Sequence, residues 1–362
     1  MSAMPTGPCP VTASVVIVNF NQWSFIGRAI ESALRQRRAP IEVVVVDDGS
    51  TDGSRAVISE FGPAIRTVFK LNGGQASAIN AGCRIAGGDV VFTLDSDDVL
   101  KPEAVEMVLA RWRPETVMMQ SRLDQIDSYG RRIRGTVPAP WIRLDEGNVV
   151  DRLLAEGTYS TTLTSGLAFR RDALERVLPV PEDRFRFGAD GYLVRAIAFQ
   201  GPVQAIQEPL GSYRRHADSY TVVGLTATQA AASFRRRLQF YRSEFDVVRS
   251  LAAARGLEAA ADLGEHEPTY LLLRLFSVVV EPDLHPIPGD TPRRLLPAAL
   301  AANLRARGVP LRRRLYTTLL AATVCLLPRF LARPLVLWWQ SAASRPRWLL
   351  QVQGLLSLGE RT

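Results

Sequence analysis

Along the first hundred residues, short apolar runs alternate with polar loops and with segments of helical periodicity. Residues 14–18 form the first apolar run, and Asn19-Phe20-Asn21 ends it. Ile26, Ala29, Ile30, Ala33 and Leu34 then recur at i, i+3, i+4, i+7 and i+8, the spacing of a helix with one buried face. Residues 41–46 are apolar and β-branched apart from Glu42, which predicts a strand buried on both faces, hence central and parallel. A loop over 47–53 and a short helix to Phe61 follow. The pattern then predicts a strand over 65–69, a glycine-rich loop over 70–75, a helix over 76–85 and a fourth strand over 90–94. Repeated strand–loop–helix units predict a doubly wound α/β sheet. The polar loops 19–22, 47–53, 70–75 and 95–98 each follow a strand. They therefore converge on one edge, where open α/β sheets bind ligands.

Beyond residue 100 the pattern is less regular. A strand is expected over 117–120, and 135–148 is rich in Pro, Gly and Trp. Residues 164–171 read as a strand running into a helix, and 187–192 as a loop entering another. Short strands are expected at 203–206 and 212–213. From about Leu225 the chain turns to long Ala/Arg/Leu segments of helical character. These shifts predict an α/β domain over 1–222 and a helical region over 223–362.

The fourth strand ends in Asp95-Ser96-Asp97-Asp98, three carboxylates in four residues. Like charges at that density call for a cation, and all-oxygen donors suit Mg or Mn. The plain alternative is turn chemistry, with Asp98 capping the helix that Pro102 helps to start. A calcium loop is excluded, because Leu100 stands where the required glycine would be. No Gly-x-Gly-x-x-Gly follows the first strand, and no phosphate-binding Gly-x-x-x-x-Gly-Lys-Ser/Thr occurs. The formal net charge is +8, and every basic residue except Lys70 and Lys101 is arginine. That balance suits anionic small molecules or acidic lipid. Nucleic acid is disfavoured for want of zinc spacing, a groove-reading basic helix or aromatic-basic interleaving. Cys9, Cys83 and Cys325 are scattered and odd in number, which predicts a reducing compartment. With no basic signal-peptide start and no run of about 20 apolar residues, the expectation is cytoplasmic.

Three motifs in fixed order carry a family resemblance. They are Asp47-Asp48-Gly49-Ser50 after its apolar strand, Asn72-Gly73-Gly74-Gln75 with Asn80-Ala81-Gly82, and Leu94-Asp95-Ser96-Asp97-Asp98. Over roughly residues 13–220 the chain resembles a family 2 glycosyltransferase of GT-A fold. The resemblance implies inverting transfer from a nucleoside-diphosphate sugar, with a divalent metal. It implies nucleotide contacts from Asn19, Asn21, Asp48, Gly74, Gln75, Asp95 and Ser96, with Asp48 on the base and Asp47 supporting its loop. A UDP- or dTDP-sugar is favoured, and a GDP-sugar stays open. Asp97 matches the metal ligand, with His216 a further candidate for metal or phosphate. Asp190 matches the catalytic base, although Ala189 replaces the glutamate that precedes it in the family. Ser165 and Gly166, and Arg214 and Arg215, fall on the diphosphate or acceptor side.

The acceptor implied is a glycan or lipid-linked hydroxyl in cell-surface polysaccharide synthesis. A polyprenyl-phosphate sugar synthase and a catalytically inactive nucleotide-sugar- or glycan-binding module are the alternatives. The C-terminal third lies outside the resemblance. Its apolar stretch 315–327, the flanking Arg312–314, Arg329 and Arg333, Trp338-Trp339, and Trp348-Leu349-Leu350 admit two readings. Either the helices pack on the catalytic domain, or they attach peripherally to the inner, anionic face of the plasma membrane.

Overall fold

The computed structural model describes residues 11–38, 41–216, 227–306 and 308–340. The expected boundary at 222/223 and Trp348-Leu349-Leu350 lie outside them. The chain divides into two compact units, one of residues 1–214 with 247–259, the other of 215–246 with 260–362.

The first unit is built on a nine-stranded mixed sheet. Its leading half is β1 (Ala13–Asn19), α1 (Ile26–Leu34), β2 (Ile41–Asp47), α2 (Ser54–Glu60), β3 (Arg66–Phe69), α3 (Gln75–Ile85) and β4 (Val90–Asp95). The four strands run parallel in the order β3-β2-β1-β4. Register pairs Asn19 with Asp47 and Val18 with Asp95, so the polar ends of three strands meet at one edge. Burial explains the parallel arrangement: Val15, Val16, Ile17, Val43, Val44, Val45 and Val46 are all shut from water, a two-faced apolarity that needs helices on both sides.

The sheet continues through β5 (Val99–Leu100), α4 (Ala104–Arg111), β6 (Met118–Asp127), β7 (Arg132–Val137), α5 (Val150–Glu156), β8 (Leu167–Arg170), α6 (Arg171–Glu175), α7 (Ala189–Ala198) and β9 (Val203–Arg215). This half is antiparallel, and it makes the sheet a mixed one. The two short strands expected over 203–213 are one strand of 13 residues, because β9 runs on to pair with β5. The strand β7 arises inside what reads as irregular sequence; none of its residues is buried, and its pairing with β6 defines it. β8 lies antiparallel to β4, with Phe92 opposite Ala168. Its approach, Thr164-Ser165-Gly166, thereby arrives beside the Asp95 end of β4.

The remaining helices are α8 (Ala227–Ala253), whose last residues belong to the first unit, then α9 (Pro268–Val280), α10 (Pro292–Arg305), α11 (Leu311–Leu326) and α12 (Arg329–Gln340). Among the described residues no helix is long and apolar enough to cross a membrane. The second unit holds a buried ion network: Arg274 donates to both oxygens of Asp290 at 2.8 and 2.6 Å and also to Glu265. His285 joins Asp290 to the Ser277 hydroxyl at 3.0 and 2.9 Å. Burial opposes the Asp290 charge, yet Arg274 and His285 hold its pKa down to about 2. Ser277 is shut inside α9, so this Ser-His-Asp succession ties α9 to the following loop and offers no nucleophile.

Gly82 sets how closely α3 seats on the sheet. A Cβ there would stand 2.4 Å from Val16 Cγ1 and 3.0 Å from Val46 Cγ2. A helix interior ordinarily favours Ala over Gly by about 1 kcal/mol. The clash reverses the sign here, since overpacking costs about 1–3 kcal/mol. Gly82→Ala should therefore lower the unfolding free energy in urea; a gain of about 1 kcal/mol would show that α3 is not held against β1 and β2 as described.

Candidate active site

Two layers of hydrogen bonds shape the sheet edge. In the first, Asp47 accepts from Ser50 N at 3.1 Å, Arg55 Nε at 2.8 Å and Asn19 Nδ2 at 2.9 Å, which folds the loop after β2 over the end of β1. Asn21 takes φ of 53°, an αL value that Asn tolerates, and its Oδ1 accepts from Thr51 N at 2.8 Å. Asn19 and Asn21 thus tie two loops together.

Asp48 organises the glycine-rich loop that follows β3. Its side chain is buried and turned inward: Oδ1 accepts from Lys70 Nζ at 2.6 Å and Gly73 N at 3.0 Å, and Oδ2 from Gly74 N at 2.6 Å. A buried carboxylate needs a cation and amide donors, and these supply both. Asp48 therefore folds the glycine-rich loop. Gly74 is required at φ 91°, with Arg186 where its Cβ would go.

The second layer surrounds the acidic tetrapeptide. Asp98 is not a helix cap, since the residue preceding α4 is Glu103. Its carboxylate instead accepts from Ser165 Oγ at 2.6 Å and from Arg214 N at 2.8 Å. Ser165 Oγ also accepts from Asp95 N at 3.1 Å. Ser96 is buried, its N–H donating to Val18 O at 3.1 Å. A Cβ on Gly166 would meet Ser121 O at 2.5 Å, so that glycine is a packing necessity. Arg214, expected toward the diphosphate, is the largest fully buried side chain. Its guanidinium donates to the carbonyls of Asp97 at 2.7 Å and Asp127 at 3.1 Å and lies over the Phe25 ring. Ser165 and Arg214 hold the acidic loop from within the protein. Arg215 is exposed at the end of β9 and His216 follows half-buried; both belong to the second unit.

Gln75 connects this loop to the helix of Asp190. Its Nε2 donates to Asp95 Oδ1 at 3.0 Å and Thr164 Oγ1 at 3.3 Å. Its Oε1 accepts from Gly188 N at 2.9 Å and Ala189 N at 3.1 Å. Those two amides open α7, so Gln75 caps that helix from another element. Asp190 is relieved of capping: it lies inside α7, after Gly188 at φ 75°, and accepts from Gly191 N at 3.0 Å. Ala189 is wholly buried.

The charges do not balance locally. Burial, and then the charges of Asp97 and Asp190, push Asp95 up to about 7. Burial, then Asp97 and Asp95, push Asp98 well above the carboxylate range. Burial raises Asp190 too, against Gly191 N–H and Arg195. Of the cations, Arg195 acts on Asp190, and Arg214 interacts with Asp97 and Asp98. Among the described residues no three His, Cys, Asp or Glu side chains form a metal cage. The donors nonetheless fit a divalent cation of the magnesium type, which takes one or two carboxylates and completes its shell with phosphate oxygens and water.

Thr164 is the participant that sequence reasoning misses. Its carbonyl accepts from Thr93 Oγ1 at 2.8 Å, its hydroxyl meets Gln75, and its amide reaches Asp190. Nothing in the spacing signals it, since it stands 69 residues from Asp95 and arrives only through the β4–β8 pairing.

Gln75 yields a test. Gln75→Ala leaves two helix amides without their acceptor and should cost about 1–3 kcal/mol in urea unfolding. Gln75→Glu keeps the acceptor but sets a further carboxylate against Asp95. It should lose more stability at pH 8, where both are ionised, than at pH 5. Variants indistinguishable from the parent at both pH values would contradict the bridging role.

Known proteins share this chain's features. The glycosyl transferase family 2 model matches residues 14–178. A Nostoc protein, the uncharacterized glycosyltransferase alr2836, is 37% identical over 221 residues, 59% of this chain and 68% of that one. Chondroitin synthase of Pasteurella multocida is 42% identical over 99 residues, 26% of this chain; the chain spans 10% of that relative's length. Staphylococcus aureus TarS 1–349 in complex with UDP-GlcNAc aligns over 92% of both chains at 13% identity, with a TM-score of 0.48. With its parallel half-sheet, its acidic tetrapeptide and its match to the Nostoc protein, the chain belongs to glycosyl transferase family 2.

Proposed function

We propose that the protein moves a sugar, with inversion, from a nucleoside-diphosphate sugar to a hydroxyl of a glycan or lipid-linked acceptor in polysaccharide synthesis. The observation that carries this reading is the tie from Asp95 through Gln75 and Thr164 to Asp190. It holds a donor-side carboxylate and a candidate base in one fixed relation. The likeness to a chondroitin synthase supports a glycan product.

The nucleotide lies along the loops carrying Asn19, Asn21, Asp48, Gly74 and Gln75. Because Asp48 is engaged by Lys70 and two amides, UDP-, dTDP- and GDP-sugars all remain open as donors. Asp97, with Asp95, would hold a divalent cation, Mn or Mg, which when bound neutralises charge on the leaving diphosphate. Arg214 and Ser165 fix the loop's position so that its carboxylates need no reorganisation. Asp190 takes the acceptor's proton as the hydroxyl oxygen bonds to the anomeric carbon. An ordinary aspartate, at about 3.9, is too weak to ionise an alcohol beforehand, so its transfer is concerted with bond formation. Burial raises Asp190 and makes it a better base.

Asp190→Asn separates the roles, because Gln75 and not Asp190 caps the helix. Donor binding should hold and the melting midpoint should not fall, since one of the like charges acting on Asp95 is removed, while turnover falls at least a hundredfold. In the parent, kcat/KM should fall with pH through a limb above about 3.9, the base being lost as it protonates. An active Asn variant, or product of retained anomeric configuration, would refute the assignment.

A further inference from the structure

Within the second unit, α11 presents an apolar face to solvent. Leu311, Leu315, Leu319 and Leu326 are exposed, the last at 83%. At about 100° per residue they fall within a sector of roughly 80° on one side of the helix. Leu320, Ala321 and Val324 occupy the other side and are buried, so this is the outer face of a helix already packed on its inner one. Phe330, 74% exposed, and Leu331 on α12 add to the exposed apolar surface.

The charge around this stripe is of one sign. Between Asp290 and Glu360 the sequence has no acidic residue and eleven arginines. Arg312, Arg329 and Arg333 are exposed on the same two helices. At the Phe330 end, Glu281 and Asp283 line a groove of about 400 Å³ with Arg329, Phe330 and Arg333, and Glu281 is already paired with Arg235. A second copy of this chain is a poor occupant. A two-fold contact through α11 would set Arg312 near its own copy, with no acid on α11 or α12 to answer it.

We propose that the Leu311–Leu315–Leu319–Leu326 face, with its arginine border, docks on a bilayer surface containing anionic phospholipid. The leucines enter the acyl boundary and the guanidiniums pair with headgroup phosphates, the arrangement of an interfacial helix. This docking does not depend on the transfer reaction proposed above.

The test is co-flotation of the full chain with phosphatidylglycerol-containing or pure phosphatidylcholine vesicles, in low and high salt. The bound fraction should be at least tenfold greater on anionic vesicles and should fall as salt rises. Leu315→Ser/Leu319→Ser/Leu326→Ser and Arg312→Gln/Arg329→Gln/Arg333→Gln should each lower it at least tenfold. Unchanged melting midpoints show that both variants are folded. No binding, equal binding to both vesicle types, or variants that bind like the parent would overturn the proposal. So would a lipid-free dimer that the leucine variant converts to monomer in sedimentation velocity, which would make the face a self-association surface.

Discussion

Crowded negative charge at the carboxyl end of β4 is the constraint on which the site depends. Burying one carboxylate without a partner is costly, and burying several side by side is worse. The protein meets that cost with backbone and neutral donors. Ser165 and the Arg214 amide serve Asp98, and Gln75 serves Asp95. These donors fix the carboxylates in place without cancelling their charge. Had the loop been stabilised by direct ion pairs alone, it would be electrically finished. The Arg214 guanidinium donates to the carbonyls of Asp97 and Asp127, so part of its hold on the loop is through the backbone.

The same economy separates structural from chemical aspartates along the chain. Asp47, Asp48 and Asp290 are buried and paired with cationic partners. Asp98 is buried, Asp95 and Asp190 are half-buried, and loss of solvent pushes all three upward. Perturbation of the second kind, clustered at a sheet edge, marks chemistry more often than scaffolding.

The parallel half of the sheet was legible because three of its four strands, β1, β2 and β4, are chiefly apolar and its loops chiefly polar. Asn19, Asp47 and Asp95 could be brought to one edge by counting strand ends alone. The antiparallel half was less so. β7 is short and buries none of its residues, and the turn of Arg214 beneath the loop depends on β9 pairing with β5. The side-chain direction of Asp48 was likewise hidden, since a motif gives position but not the donors that will compete for a carboxylate. Gln75 was visible as a loop residue, while its second engagement, with the amides of Gly188 and Ala189, joins positions 113 and 114 residues apart.

A comparison of melting midpoints for the parent and Asp97→Asn, each with and without Mn2+, tests the unbalanced charge most directly. Without the ion, Asp97→Asn should melt higher than the parent, because one of the like charges acting on Asp95 and Asp98 is gone. With the ion, the parent should rise and the variant should not. A variant that melts below the parent without Mn2+, or an equal rise in both proteins with it, would contradict the account.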